Sequence, residues 1–121
     1  MLRIQTTSSE AGLGLILSGD LDVSGAPDFR ACLGQVLGTH RPGHVEIDLA
    51  GVGFLDCAGA RSLVWADERV RSWGGSVTFH HPGRSPLRLL RLLGFDAALS
   101  IRVARRVPLV QPTAQGRPRL N

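Results

Sequence analysis

Lysine is absent from the 121-residue sequence and cysteine occurs only twice. Without lysine no G-x-x-x-x-G-K phosphate loop exists, and Gly12-Leu13-Gly14 and Gly51-Val52-Gly53 lack the third glycine and helix context of a dinucleotide fingerprint. Nucleotide binding therefore has no support. Cys32 and Cys57 cannot build a disulfide framework, and neither belongs to a C-x-x-C pair, which argues against structural zinc and thioredoxin-like exchange. Long apolar runs are also missing. Leu13–Leu17 and Leu89–Leu93 fall far below the roughly 18 residues of a membrane span, and no basic segment followed by an apolar stretch opens the chain. The expectation is a cytoplasmic protein that makes no use of a membrane.

What is present fits one compact domain: 43% hydrophobic and 20% charged residues. A chain of this length buries roughly two thirds of its unfolded surface and holds a core without metal or disulfide staples. The net charge of +4 and the pI near 10.9 invite a nucleic-acid reading. All fourteen basic residues are arginine, however, and five of them (Arg102, Arg105, Arg106, Arg117, Arg119) fall after residue 101, where there is no acid. Residues 1–101 hold nine arginines against ten acids, a net −1. The basicity belongs to the tail.

Along the chain, Leu2 to Thr6 and Leu13 to Leu17 alternate apolar and polar residues around a turn at Glu10 to Gly12, the pattern of a β-hairpin. Ser24 or Gly25 then caps a helix with Pro27 and Asp28 in its first turn. Its buried stripe is Phe29, Cys32, Leu33, Val36 and Leu37, which makes Cys32 a small core residue. His44 to Leu49 alternates as a third strand, and Ala50 to Gly53 reads as a glycine-rich connection. A second helix begins after Asp56, with Leu63, Val64, Val70 and Trp73 inward and Gly74-Gly75 as its stop. Ser76 to His80 is a fourth strand. Ser85-Pro86 starts a third helix that buries Leu89, Leu90 and Leu93, and Leu99 to Val103 closes the domain as a last strand. The order β-β-α-β-α-β-α-β predicts an α/β fold, a mixed sheet with helices mainly on one face, because right-handed crossovers along one direction keep helices on one side. The domain is expected over 1–103. Residues 104–121, with Pro108, Pro112 and Pro118 and no apolar period, read as a flexible tail.

Gly19-Asp20-Leu21-Asp22, Asp48-Leu49 followed by Phe54-Leu55-Asp56-Cys57-Ala58-Gly59, Gly74-Gly75, and Ser85-Pro86 followed by Leu92-Leu93-Gly94-Phe95 stand in this order. In that combination the chain resembles the STAS family, the bacterial anti-sigma factor antagonists. The resemblance implies a non-enzymatic domain that binds an anti-sigma factor, commonly a serine kinase, and so frees a sigma factor without touching DNA. In the family pattern Asp is followed by Ser-Ser-Gly or Ser-Thr-Gly, and the second hydroxyl is phosphorylated by the partner kinase. Ala58 stands at that position here and has no oxygen to accept phosphate, which implies a constitutive or divergent antagonist.

The expected partner surface comprises Asp20, Asp22 and Ser24, the turn Asp56, Cys57, Ala58 and Gly59, and the helix face around Arg61, Trp65 and Glu68. Cys57 has two readings: an inert near-isostere of serine, or a thiol activated at a helix N-terminus as a redox switch. Trp65 is either an exposed interface anchor or a core residue. Asp22 and Asp56 form no acid/base pair with a nucleophile or base in pattern, so Asp56 is read as a cap or docking residue. His80 and His81, adjacent on a strand, point to opposite faces and cannot share an ion. No catalytic, cofactor or metal residues are assigned. The alternative reading is nucleic-acid or other partner binding through the arginine tail; a homodimer is left open.

Overall fold

A computed structural model describes residues 1–103 except Ala11 and His40. The expected tail, 104–121, therefore lies outside the described residues. The elements are β1 (Arg3–Ser9), β2 (Gly12–Leu21), α1 (Gly25–Thr39), β3 (His44–Leu55), α2 (Cys57–Arg71), β4 (Ser76–His80), α3 (Arg84–Leu92), a 3-10 turn (Phe95–Ala97) and β5 (Ser100–Arg102). They form one five-stranded sheet in the order β1-β2-β3-β4-β5. The β1–β2 hairpin is antiparallel, and every later neighbour is parallel. This is the predicted mixed α/β sheet.

One sheet face carries the core. Leu13, Leu15, Leu17 and Leu21 of β2, Val45, Ile47 and Leu49 of β3, and Val77 and Phe79 of β4 are buried with Phe29, Leu33 and Leu37 of α1. The opposite face holds the other half of each alternation: Glu46 and Asp48 lie beside Thr78 and His80, with Ile16 exposed next to Asp48. Truncating a buried Leu or Phe of this core to Ala costs about 2–5 kcal/mol, so the core side chains alone dictate which face turns inward.

The sequence reading needs correction in several places. Ala50 to Gly53 is strand, not connection: β3 runs on to Leu55, with register shifts against β2 at Ile16/Ser18 and Gly19/Asp20. Gly51 permits close approach, because a Cβ on it would lie 2.8 Å from that of Ser18. The first helix is capped by neither Ser24 nor Gly25. Asp22 does this, its Oδ1 accepting from the Ser24 and Gly25 N–H groups at 3.0 and 2.9 Å. At α3 the cap residue is Gly83 with no side-chain cap, and Ser85 sits inside the helix. Its buried face is Pro86 and Leu90, one turn apart; Leu89 is half-buried, and Leu93, the C-cap residue beyond the helix, is exposed. Helix α2 buries Ala60, Leu63, Ala66 and Val70 along with Ser62 and Asp67, while Val64 and Trp73 only flank the core. Cys32 is half-buried at the edge of its stripe.

Candidate functional site

The parallel strands β2 and β3 end side by side at Leu21 and Leu55, and α1 and α2 both begin there. Asp56 organises this junction. Its backbone is extended (φ −112, ψ −174), so the side chain folds over the first turn of α2 and Oδ1 accepts from the Gly59 N–H at 2.8 Å. Its other oxygen accepts from the Val23 N–H at 3.0 Å, across 33 residues of sequence. One carboxylate thus caps α2 and ties down the loop before α1. Gly59 makes the second tie: a Cβ there would run into the Leu21 carbonyl oxygen, so only glycine lets α2 approach the end of β2.

The sequence-predicted residues largely converge at this end. Asp22 turns its Oδ1 onto the loop's own amides, and exposed Ser24 lies beside it. Asp20, at the end of β2, faces the amino terminus at 3.7 Å. Cys57 is exposed, Ala58 half-buried and Gly59 buried in the first turn of α2, with Arg61 exposed one turn on. Trp65 is the exception. It is neither a free anchor nor a core residue: it is half-buried against the core, and the Arg30 guanidinium stacks 5.5 Å from its ring centroid. Helix α1 packs alongside α2 at this level, which covers the side of Trp65 that a helical wheel of α2 alone leaves open.

Residues that the sequence pattern does not single out also shape the surface. Val23 and Phe54 are exposed by 69% and 50%. Phe54 pairs with Asp20 across the sheet, and the shifted register of β3 turns it outward between buried Val52 and Leu55. Between the first turns of the two helices lies a shallow groove of ≈ 380 Å³, lined by Val23, Ala26, Pro27, Arg30, Ala58 and Arg61. A period-two reading that stops at Leu49 cannot find Phe54. Arg30 is legible in the sequence only as the neighbour of buried Phe29.

Two further clusters lie elsewhere. On the open sheet face, Glu46 sits between His80 Nε2, 3.0 Å from Oε1 but without hydrogen-bond geometry, and His44 Nε2, 3.3 Å from Oε2. His81 corrects the expectation of opposed histidines. Its φ of 58 is left-handed, so the chain turns as it leaves β4 and both imidazoles face one pocket, 5.7 Å apart, with His81 Nδ1 3.6 Å from Asp48. Among the described residues no group of three or more His, Cys, Asp or Glu side chains converges as a metal site. A wider concavity of ≈ 950 Å³ at the opposite end of the strands, lined in part by Thr7, Val36, Arg41 and Pro42, contains none of the predicted site residues.

A family model described as "Mlab, STAS domain" matches residues 4–107. The chain belongs to the STAS domain family. The STAS fold is shared with an anti-sigma factor antagonist from Mycobacterium paratuberculosis (TM-score 0.74, 23% identity, 84% of this chain and 85% of that one covered). It is shared also with a putative anti-sigma factor antagonist from Thermotoga maritima (0.70, 19%, 81% and 84%). The Bacillus cell fate determinant SpoIIAA in its phosphorylated form matches at 0.67 and 13% identity over 86% and 93%. Among curated proteins nothing matches the chain. Among its described residues, no helix of this STAS domain is long and apolar enough to cross a membrane.

Proposed function

We propose that this STAS domain is a non-enzymatic antagonist of an anti-sigma factor of the serine kinase type, binding it and so releasing a sigma factor. The observation that carries the reading is the Asp56 carboxylate, which fixes the Asp20–Ser24 loop against the start of α2, where Val23, Ser24 and Cys57 are exposed. The contact residues are Asp20, Asp22, Ser24, Asp56, Cys57, Ala58 and Arg61, with buried Gly59 acting from beneath by seating α2 on Leu21 and Trp65 through Arg30. Ala58 stands where the family pattern has its phosphorylated hydroxyl. Phosphate there would bring about −1.5 to −2 charges onto the helix start, and alanine admits none of it. The antagonist therefore lacks that off-switch.

The test is a pull-down from a bacterial host with the wild-type chain and Ala58→Asp as bait. Wild type captures a kinase of the anti-sigma class, and the aspartate, imitating part of a phosphate's charge, loses it. Capture of no such kinase by either bait would refute the reading. Ala58→Ser additionally becomes a phosphate acceptor if the captured kinase still recognises the turn.

A further inference from the structure

We infer that the groove between the first turns of α1 and α2 takes an acidic side chain of the partner protein, seated beside an apolar one. This rests on the docking surface proposed above and specifies its chemistry. The floor of the groove is apolar: Val23, Ala26, Pro27 and the Ala58 methyl. Its walls carry two exposed guanidiniums, Arg30 and Arg61, neither of which is ion-paired among the described residues. Arg30 is held in place by its stacking on Trp65, so its charge is oriented before anything binds.

None of the nearby carboxylates pairs with either guanidinium among the described residues. Both Asp56 oxygens accept backbone N–H groups, and Asp22 Oδ1 accepts two. Asp28 stands two residues before Arg30, more than half a turn round α1. Two guanidiniums without an ion-pair partner favour a carboxylate, and the apolar lining between them favours an aliphatic neighbour to that carboxylate.

The full chain, 15N-labelled, is titrated with the probe acetyl-Leu-Glu-Glu-Leu-amide, with its glutamine counterpart, and with inorganic phosphate. The amides of Val23, Ala58 and Arg61 shift with the glutamate peptide alone, and Arg30→Glu/Arg61→Glu abolishes the response. Equal shifts from the glutamine peptide, shifts from phosphate of the same size, or no shifts at all would each overturn the inference. Separately, the kinase captured above binds the double variant about 100-fold more weakly than wild type, and its affinity for wild type falls with added salt. Unchanged kinase binding would overturn the inference while leaving the antagonist reading standing. Failure to capture a kinase would overturn that reading, and the inference with it. Both arginines are exposed, so an unchanged urea midpoint shows that the double variant folds.

Discussion

Asp56→Ala tests the junction directly. The substitution removes the α2 cap, worth about 1 kcal/mol, and the bond to the Val23 N–H. A bond to a charged acceptor contributes about 1.5–3 kcal/mol, with the lower end fitting this partly exposed pair. The sum is a loss of about 2–3 kcal/mol. For a domain of this size that corresponds to a fall in Tm of roughly 10 °C, and urea unfolding followed by circular dichroism measures the loss itself. Asp56→Asn keeps one acceptor oxygen and loses about half as much. Hydrogen exchange separates the two bonds: the Val23 amide exchanges faster in Asp56→Ala, while Gly25, held by Asp22, keeps its protection. A loss below about 0.5 kcal/mol, or unaltered exchange at Val23, would refute the claim that one carboxylate holds both segments.

Three other outcomes follow from particular residues. Burial raises the Asp67 carboxyl above its ordinary 3.8, a push that the adjacent Arg71, 3.1 Å away, opposes. The native state therefore holds that proton more tightly than the unfolded chain, and Asp67's contribution is greatest below 3.8 and is lost as pH rises through its native value. Urea series across pH should show Asp67→Asn gaining on wild type through that window and levelling off above it. Gly59→Ala drives a Cβ into the Leu21 carbonyl and costs about 3 kcal/mol or prevents folding, whereas Gly34→Ala, with open space inside α1, stabilises by about 0.8–1 kcal/mol, both read from urea midpoints. In the native protein a thiol reagent modifies exposed Cys57 well before half-buried Cys32; equal rates would contradict the placement.

The fold is legible in the sequence because alternation and helical stripes dominate its core: Leu13, Leu15 and Leu17, and Phe29, Leu33 and Leu37, are buried as their periods demand. Local patterns fail where tertiary contacts overrule them. The run Ala50 to Gly53 has the composition of a loop, yet its Gly51 is what allows β3 to lie against a bulged β2. Ser24 has the chemistry of a cap, but Asp22, two residues earlier, takes the amides of Ser24 and Gly25 and makes the first turn itself. Trp65 is ambiguous in the sequence because its environment is set by Arg30, 35 residues earlier, which no single-helix pattern encodes. His81 departs from its expected direction because a positive φ is invisible to a strand period. The convergence of the Asp22 and Asp56 segments follows from family resemblance, whereas the hydrogen bond that joins them emerges only in three dimensions.

The contact between Gly59 and the last carbonyl of β2 bears on thermodynamics as well as shape. With α2 lodged against Leu21 and the preceding loop fastened to Asp56, the two segments cannot reorient independently. A partner docking at the proposed surface would meet residues whose conformational entropy was surrendered during folding, so little ordering would remain to oppose association. Loosening the contact by mutation would thus weaken binding even where every contacting side chain is retained.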